Sequence, residues 1–458
     1  MSSVRLEHVE LPDFGLPTVM PALPPALYAH RLEEARKRAA AHDYDALVVY
    51  ADREHSANLA HLSGFDPRFE EAILILGREG EPLLLAGNEC TGMAKAAPLP
   101  VRVELWQELS LPGQPRDRSR PLIDILASEG IGRGSRVGVA GWKPYADRSW
   151  LEVPSFLADA LRAAAGPEGL VENANDIFLH PSEGLRATNE VEQLAAFEYA
   201  ACHTSEGIKR LLRGLRPGMT EQESVALLGW TGAPLSCHLM LSSGPRASLG
   251  LLSPTDRVIE RGDRFTTAFG IWGALDCRAG FVVEDATELP APIRDYTEVL
   301  VAPYFAAIVE WLEALRVGQT GGVLQAIIER HLGDPFFGIF LNPGHLLGLD
   351  EWVHSPVFPG SEVRLRSGMA LQVDVIPATG GDYFTTNVEG GLAIADENLR
   401  AGFAEGYPGA WDRISARRAF MHDALGIDLH PDVLPFSNLP AYLAPFLLDQ
   451  DRAMVGRP

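Results

Sequence analysis

His345, Asp374 and Glu389 are the residues whose types and settings could do chemistry. His345 follows a Pro-Gly turn in Asn342-Pro343-Gly344-His345-Leu346-Leu347-Gly348-Leu349. Asp374 ends the apolar run Gly368-Met369-Ala370-Leu371-Gln372-Val373-Asp374, and Glu389 lies in Thr385-Thr386-Asn387-Val388-Glu389-Gly390. An imidazole and two carboxylates inside strand-like apolar runs are costly to bury unless they pair, bind a metal or take part in a reaction. A near-neutral imidazole suits general acid–base work, and a carboxylate beside it fixes its tautomer.

Strand periodicity says how these groups could be brought together. In 369–376 the odd-numbered positions are apolar, while Gln372 and Asp374 share the other face. Thr385, Asn387 and Glu389 share one face of their segment, and Ser236 and His238 share one face of 235–241. Neighbouring strands in one curved sheet would turn these faces into a single cavity. The open alternative is a buried polar network satisfied through Arg278, Arg364 or water.

The elements that must position these groups read as two blocks. In the first, a helix over 28–41 leads to a buried strand at 44–50. Further strands are expected at 72–76, 81–86 and 137–140, and helices over 121–128 and 150–165. Strands alternating with helices predict an α/β domain over 1–183. In the second block, Asn189 with Glu192 predicts a helix start, and Thr220 with Glu223 a capping box. Strands are expected at 235–241, 264–271, 280–283, 370–376 and 391–395, and helix over 293–317 and 413–425. The second domain is placed at 184–400, with a C-terminal extension, 401–458, packed on it.

Composition narrows the function classes. The chain has 458 residues, 46% hydrophobic and 22% charged, enough for sizeable cores in two domains. Its 61 acidic residues outnumber 39 basic ones for a formal charge of −22, which argues against nucleic acid or an anionic membrane as partner. Cys90, Cys202, Cys237 and Cys277 form no C-x-x-C pair and read as reduced thiols of a cytoplasmic protein. The first 17 residues do not read as a signal peptide, and no apolar run reaches the ~18 residues of a membrane span. No phosphate loop, H-E-x-x-H or G-x-S-x-G motif occurs.

The order and surroundings of His345, Asp374 and Glu389 resemble the creatinase/prolidase/aminopeptidase-P family, whose pita-bread domain spaces a His and two acidic residues this way. Asn58-Leu59-Ala60-His61-Leu62-Ser63-Gly64-Phe65 is similar to its strand-entry motif, and 190–218 to the opening helix and Pro-Gly turn of its second domain. Ser253-Pro254-Thr255-Asp256-Arg257 with Arg261-Gly262-Asp263 resembles the hairpin before its first metal-bearing strand. The resemblance implies an α/β N-terminal creatinase-like domain followed by an α+β pita-bread domain. Metal-dependent members complete a dinuclear site with two aspartates, and the matching positions here are Ala268 and Ala279. A methyl group ligates nothing, and Asp374 replaces the family's usual glutamate. No metal or other cofactor is therefore expected, although Asp276 or His238 could restore a ligand. Creatinase is the family's metal-free member, but its catalytic His would fall at Leu251 and an active-site Glu near Phe281, so creatine is not implied.

The resemblance then sets the expectation. A homodimeric hydrolase acts on a C–N or amide bond of a small molecule or short peptide, with His345, Asp374 and Glu389 as catalytic residues. Substrate-binding candidates are His354, near the family's second histidine (aligned with Trp352), His238, and Arg68 with Phe69. Arg68 and Phe69 match the region where creatinase-like dimers reach into the neighbour's site, and otherwise form a solvent-facing turn. Two alternatives stay open: a Xaa-Pro aminopeptidase-like metalloenzyme with rearranged ligands, and a catalytically silent homologue that binds through the old cleft.

Overall fold

Continuous apolar runs mark strands buried on both faces. Ala46–Ala51 and Ala72–Gly77 are such runs, and they pair antiparallel at the middle of a six-stranded mixed sheet. Leu83–Ala86 and Arg102–Leu105 extend it on one side, Arg136–Ala140 and Leu170–Asn173 on the other. The helix Pro25–Ala41 buries Leu27, Tyr28, Leu32 and Ala35, and Leu122–Ser128 and Ser155–Ala165 pack Ile125, Leu126, Leu157 and Leu161 into the sheet's core. The structure, a computed structural model, describes residues 3–98 and 101–457. The chain divides into two units: this one, residues 23–187, and one formed by the chain on both sides of it.

That division differs from the expected boundaries. It falls after Ala187 rather than at 183, and the segment before Leu23 groups with the second unit. The reason is a backbone ladder in which Ser3–His8 pairs antiparallel with Arg452–Arg457. Residues 401–458 are likewise part of that unit, since Val433–Pro435 adds a strand beside Gly391–Ile394. The helix Pro408–Asp423 is anchored there by the fully buried Arg417, whose Nη1 donates to Glu198 Oε1 at 2.8 Å.

Two further expectations fail locally. The 57–63 segment is a short helix, Ala57–Ser63, ended by Gly64 in the left-handed region, so it is no strand entry. Asn189 does not cap the helix Val191–Gly214; its Nδ2 donates to the Gly368 carbonyl instead. The Thr220–Glu223 capping box is present.

The second unit holds two four-stranded sheets. One runs in the order Asn387–Glu389, Asp276–Phe281, Arg264–Phe269, Met240–Ser243; the other His345–Leu346, Ala370–Gln372, Gly391–Ile394, Val433–Pro435. The expected 235–241 strand is displaced, with only Met240 onward in the sheet and Leu235 held by an isolated bridge to Ile271. Among the described residues, no helix is long and apolar enough to cross a membrane.

Candidate functional site

Register assembles the floor of the site. Met240 pairs with Ala268, Ala268 with Cys277 and Cys277 with Glu389; Ser242 pairs with Thr266, Thr266 with Ala279 and Ala279 with Asn387. Paired residues, and residues two apart, project from the same face of a sheet. All eight therefore share one face, and all eight line a cavity of about 680 Å3. Glu389 closes the first row and Asn387 the second.

The other sheet supplies the imidazole. Gly344 has φ +111°, and a Cβ there would come within 2.7 Å of Trp311 and 3.2 Å of the Gln372 carbonyl oxygen, so only glycine lets the turn deliver His345 to the strand. His345 pairs with Gln372. Gln372 Nε2 donates to the Leu275 carbonyl at 2.7 Å and to Glu389 Oε1 at 3.1 Å, tying the two sheets together at the carboxylate. Asp374, two residues beyond Gln372, reaches the cavity wall.

His345 is fully buried and does not itself line the cavity. Its Nδ1 lies 3.1 Å from the Leu346 carbonyl oxygen, an acceptor only, which places a proton on Nδ1. Its Nε2 lies 2.9 Å from Glu351 Oε1 and 3.8 Å from Asp374 Oδ2. These are ion-pair distances without hydrogen-bond alignment, since Nε2 has no aligned partner; Asp374 Oδ1, the other oxygen of that carboxylate, has none either. Trp352 stacks on the imidazole at 4.1 Å and 21°, and it is Trp352, with Glu351, that faces the cavity.

Charge and burial compete here. Burial alone would depress the His345 pKa, but the carboxylates of Glu351, Asp374 and Glu389 raise it to about 9. Burial pushes Asp374 well above the carboxylate range and Glu389 also upward, with the charge of Glu389 adding to the first shift and that of Glu351 to the second. Both carboxyls are thus pushed toward the protonated form, while the carboxylates around the imidazole favour its charged form. Burial keeps the Cys277 thiol beside Glu389 protonated.

The remaining candidates separate. His238 lines the cavity and its Nε2 lies 2.9 Å from the Leu251 carbonyl oxygen. His354 is bridged to Leu346 and lies outside the cavity lining. Arg68, ion-paired with Asp66 at 3.2 Å, and Phe69, 55% exposed, belong to the other unit. Strand alternation turns Asp276 to the face opposite Cys277, where Ser437 donates to it at 2.8 Å. Arg278 and Arg364 do not form the network considered for the carboxylates: their donors go to the carbonyls of Cys277, Glu389, Leu439 and Gly318. Glu351 was not singled out from sequence, because Asp350-Glu351 stands in a polar turn that reads as solvent-facing.

The family's metal chemistry can be tested on these residues. A dinuclear centre does not fit, because Ala268 and Ala279 present methyl groups on the cavity floor where the resemblance places two aspartates. A single divalent ion has a donor set: ligand atoms of His345, Glu351 and Glu389 all lie within 4.8 Å of one another.

Comparison with known proteins agrees with this architecture. Residues 195–399 match Metallopeptidase family M24. An uncharacterized peptidase, YqhT, of Bacillus subtilis (strain 168) is 27% identical over 234 residues, 48% of this chain; the chain thus spans 62% of that relative's length. The prolidase of Pyrococcus horikoshii OT3 superposes with a TM-score of 0.62 at 16% identity, covering 80% of this chain and 95% of that one. The X-Pro aminopeptidase of Thermotoga maritima MSB8 superposes with a TM-score of 0.61 at 18% identity, with the same coverage. The second unit thus has the pita-bread fold, and residues 195–399 match the M24 metallopeptidases, in line with the resemblance to the creatinase/prolidase/aminopeptidase-P family.

Proposed function

We propose that this protein is a hydrolase of an amide or other C–N bond in a small molecule, working without a dinuclear metal centre. The observation that carries the reading is the pair Asp374 and Glu389 on the cavity wall, backed by a buried, charged His345 that reaches the cavity through Glu351 and Asp374. The ionised member of the carboxylate pair takes a proton from a water as its oxygen bonds to the substrate carbonyl carbon. The protonated member gives its proton to the nitrogen as the C–N bond breaks. His345 is a positioning residue in this scheme: its charge lowers the cost of gathering three carboxylates, and Gln372 fixes Glu389.

The test is turnover of a broad amide and guanidino panel by chelator-treated protein, with Glu389→Gln as the control. Hydrolysis that survives chelation and disappears in the variant supports the reading; no hydrolysis by any form rejects it and favours a silent, binding homologue.

A second reading has its own observation, the donor set of His345, Glu351 and Glu389. When bound there, one divalent ion would supply a Lewis acid and a more acidic water. Turnover of proline dipeptides or tripeptides that appears only with added manganese or cobalt would select this reading. The homodimer, resting on the family resemblance, and the cytoplasmic location, resting on the scattered cysteines, remain part of the proposal. Light scattering that gives twice the chain mass supports the dimer, in which the exposed Phe69 is available to a second subunit.

A further inference from the structure

The cavity's carboxylate end is only part of its surface. The same cavity is also lined by Leu249 and Leu251, each 74% exposed, by Phe340, 77% exposed, and by the apolar side chains of Ile376 and Phe384. Lone exposed leucines are ordinary, but several large apolar side chains on the lining of one cavity mark a binding surface. Two of these residues also carry backbone strain: Leu251 has φ +53° and Phe384 φ +61°, in the left-handed region that bulky side chains avoid. Leu251 is held there by the contact of His238 Nε2 with its carbonyl oxygen. The floor row that ends at Glu389 is Met240, Ala268 and Cys277, with no charge before it.

The polar end is unbalanced. Glu351, Asp374 and Glu389 converge on one imidazole. Arg264, also on the cavity lining, is occupied elsewhere: it meets Ser248 Oγ at 3.0 Å, the Gly381 carbonyl at 3.1 Å and Asp382 at 3.2 Å, and lies over the Phe384 ring. A head group that donates hydrogen bonds or carries positive charge suits the carboxylates, and an anionic one does not.

We propose that the site takes amphipathic ligands, with an amine or amide head at Asp374 and Glu389 and an uncharged apolar tail on Leu249, Leu251, Phe340 and Phe384. Leu251 is the residue that sets tail preference, and His238 positions it. This deepens the hydrolase reading and rests on it only for the location of the scissile bond.

The experiment is calorimetric titration of the full chain with n-alkylamines from butylamine to octylamine, and with the matching alkanoates. Affinity for the amines is expected to rise about fourfold per methylene, the equilibrium counterpart of about 0.8 kcal/mol, with negative heat-capacity change. Leu251→Asn retains a residue that tolerates the left-handed backbone, and is expected to weaken octylamine about tenfold while leaving butylamine within about twofold. Phe340→Ser, at an exposed position, provides a second variant with the same expected direction. Affinity independent of chain length, or alkanoates binding as well as amines, overturns the proposal. So does binding of the wild type to phosphatidylcholine vesicles without any amine binding, which would assign the leucines to a lipid surface. Chain-length-dependent binding without any hydrolysis would reject the hydrolase and keep the tail site. Hydrolysis of short polar amides without chain-length dependence would do the reverse.

Discussion

Replacing Glu351 by Gln isolates the electrostatic core of the site. Glu351 Oε1 lies 2.9 Å from His345 Nε2, and Asp374 Oδ2 lies at 3.8 Å. At an effective dielectric of about 20, a unit charge pair at the shorter distance is worth about 6 kcal/mol before desolvation is subtracted. Burial opposes this, and the balance leaves His345 at about 9 rather than 6.5, a net of about 3 kcal/mol in favour of the charged ring. The raised folded pKa gives a stabilisation that is complete below 6.5 and lost as pH rises through about 9. Glu351→Gln removes the largest favourable charge and keeps the shape, so the His345 pKa is expected to fall by about 2 or more. The assay is NMR titration of the imidazole C–H signals from pH 5 to 10, with His345→Ala identifying the resonance. Urea unfolding at pH 6 and pH 10 supplies the stability counterpart: the wild type loses about 3 kcal/mol more than His345→Ala over that interval, and Glu351→Gln less than half of that excess. A His345 signal still titrating near 9 in Glu351→Gln, or below 7 in the wild type, refutes the electrostatic account.

Other consequences can be checked independently. Asp276 is buried with one oxygen unpartnered, and burial raises its pKa to about 7 against some relief from Arg278. Its folded pKa exceeds the ordinary 3.8, so its contribution to stability is present below that value and is lost as pH rises through about 7. Asp276→Asn should therefore flatten the stability–pH slope by about 1.4 kcal/mol per pH unit between those limits; an unchanged slope contradicts the assignment. Gly344→Ala, placed at φ +111° against Trp311, is expected to cost about 2–4 kcal/mol in urea unfolding, and a loss under 1 kcal/mol would show that the turn is less constrained. Gln372→Leu, which removes the donor on Glu389 Oε1 and leaves Asn387 on Oε2, should lower kcat about tenfold or more on any substrate found, with little effect on KM if its role is positioning alone.

Much of this site was legible in the sequence because charge inside an apolar run is costly and therefore conspicuous. His345, Asp374 and Glu389 stood out that way, and Ala268 and Ala279 stood out by what they lack. Strand pairing was not legible: the row from Met240 through Ala268 and Cys277 to Glu389 depends on partners far apart in the chain, which period-two alternation cannot choose. Glu351 escaped because a polar turn gives no signal until its neighbour Trp352 is seen stacked on His345. The Ala57–Ser63 helix and the Gly321–Leu332 helix were missed, and the ladder between Ser3–His8 and Arg452–Arg457 is non-local in the extreme. The Asn189 cap failed for a tertiary reason, since Gly368 claims its side chain.

The most direct test of the central claim is metal stoichiometry, measured by plasma mass spectrometry after incubation with manganese, cobalt or zinc and removal of loose ions. The alanines on the cavity floor predict no more than one equivalent per chain. Two equivalents would contradict the account and return the site to dinuclear chemistry.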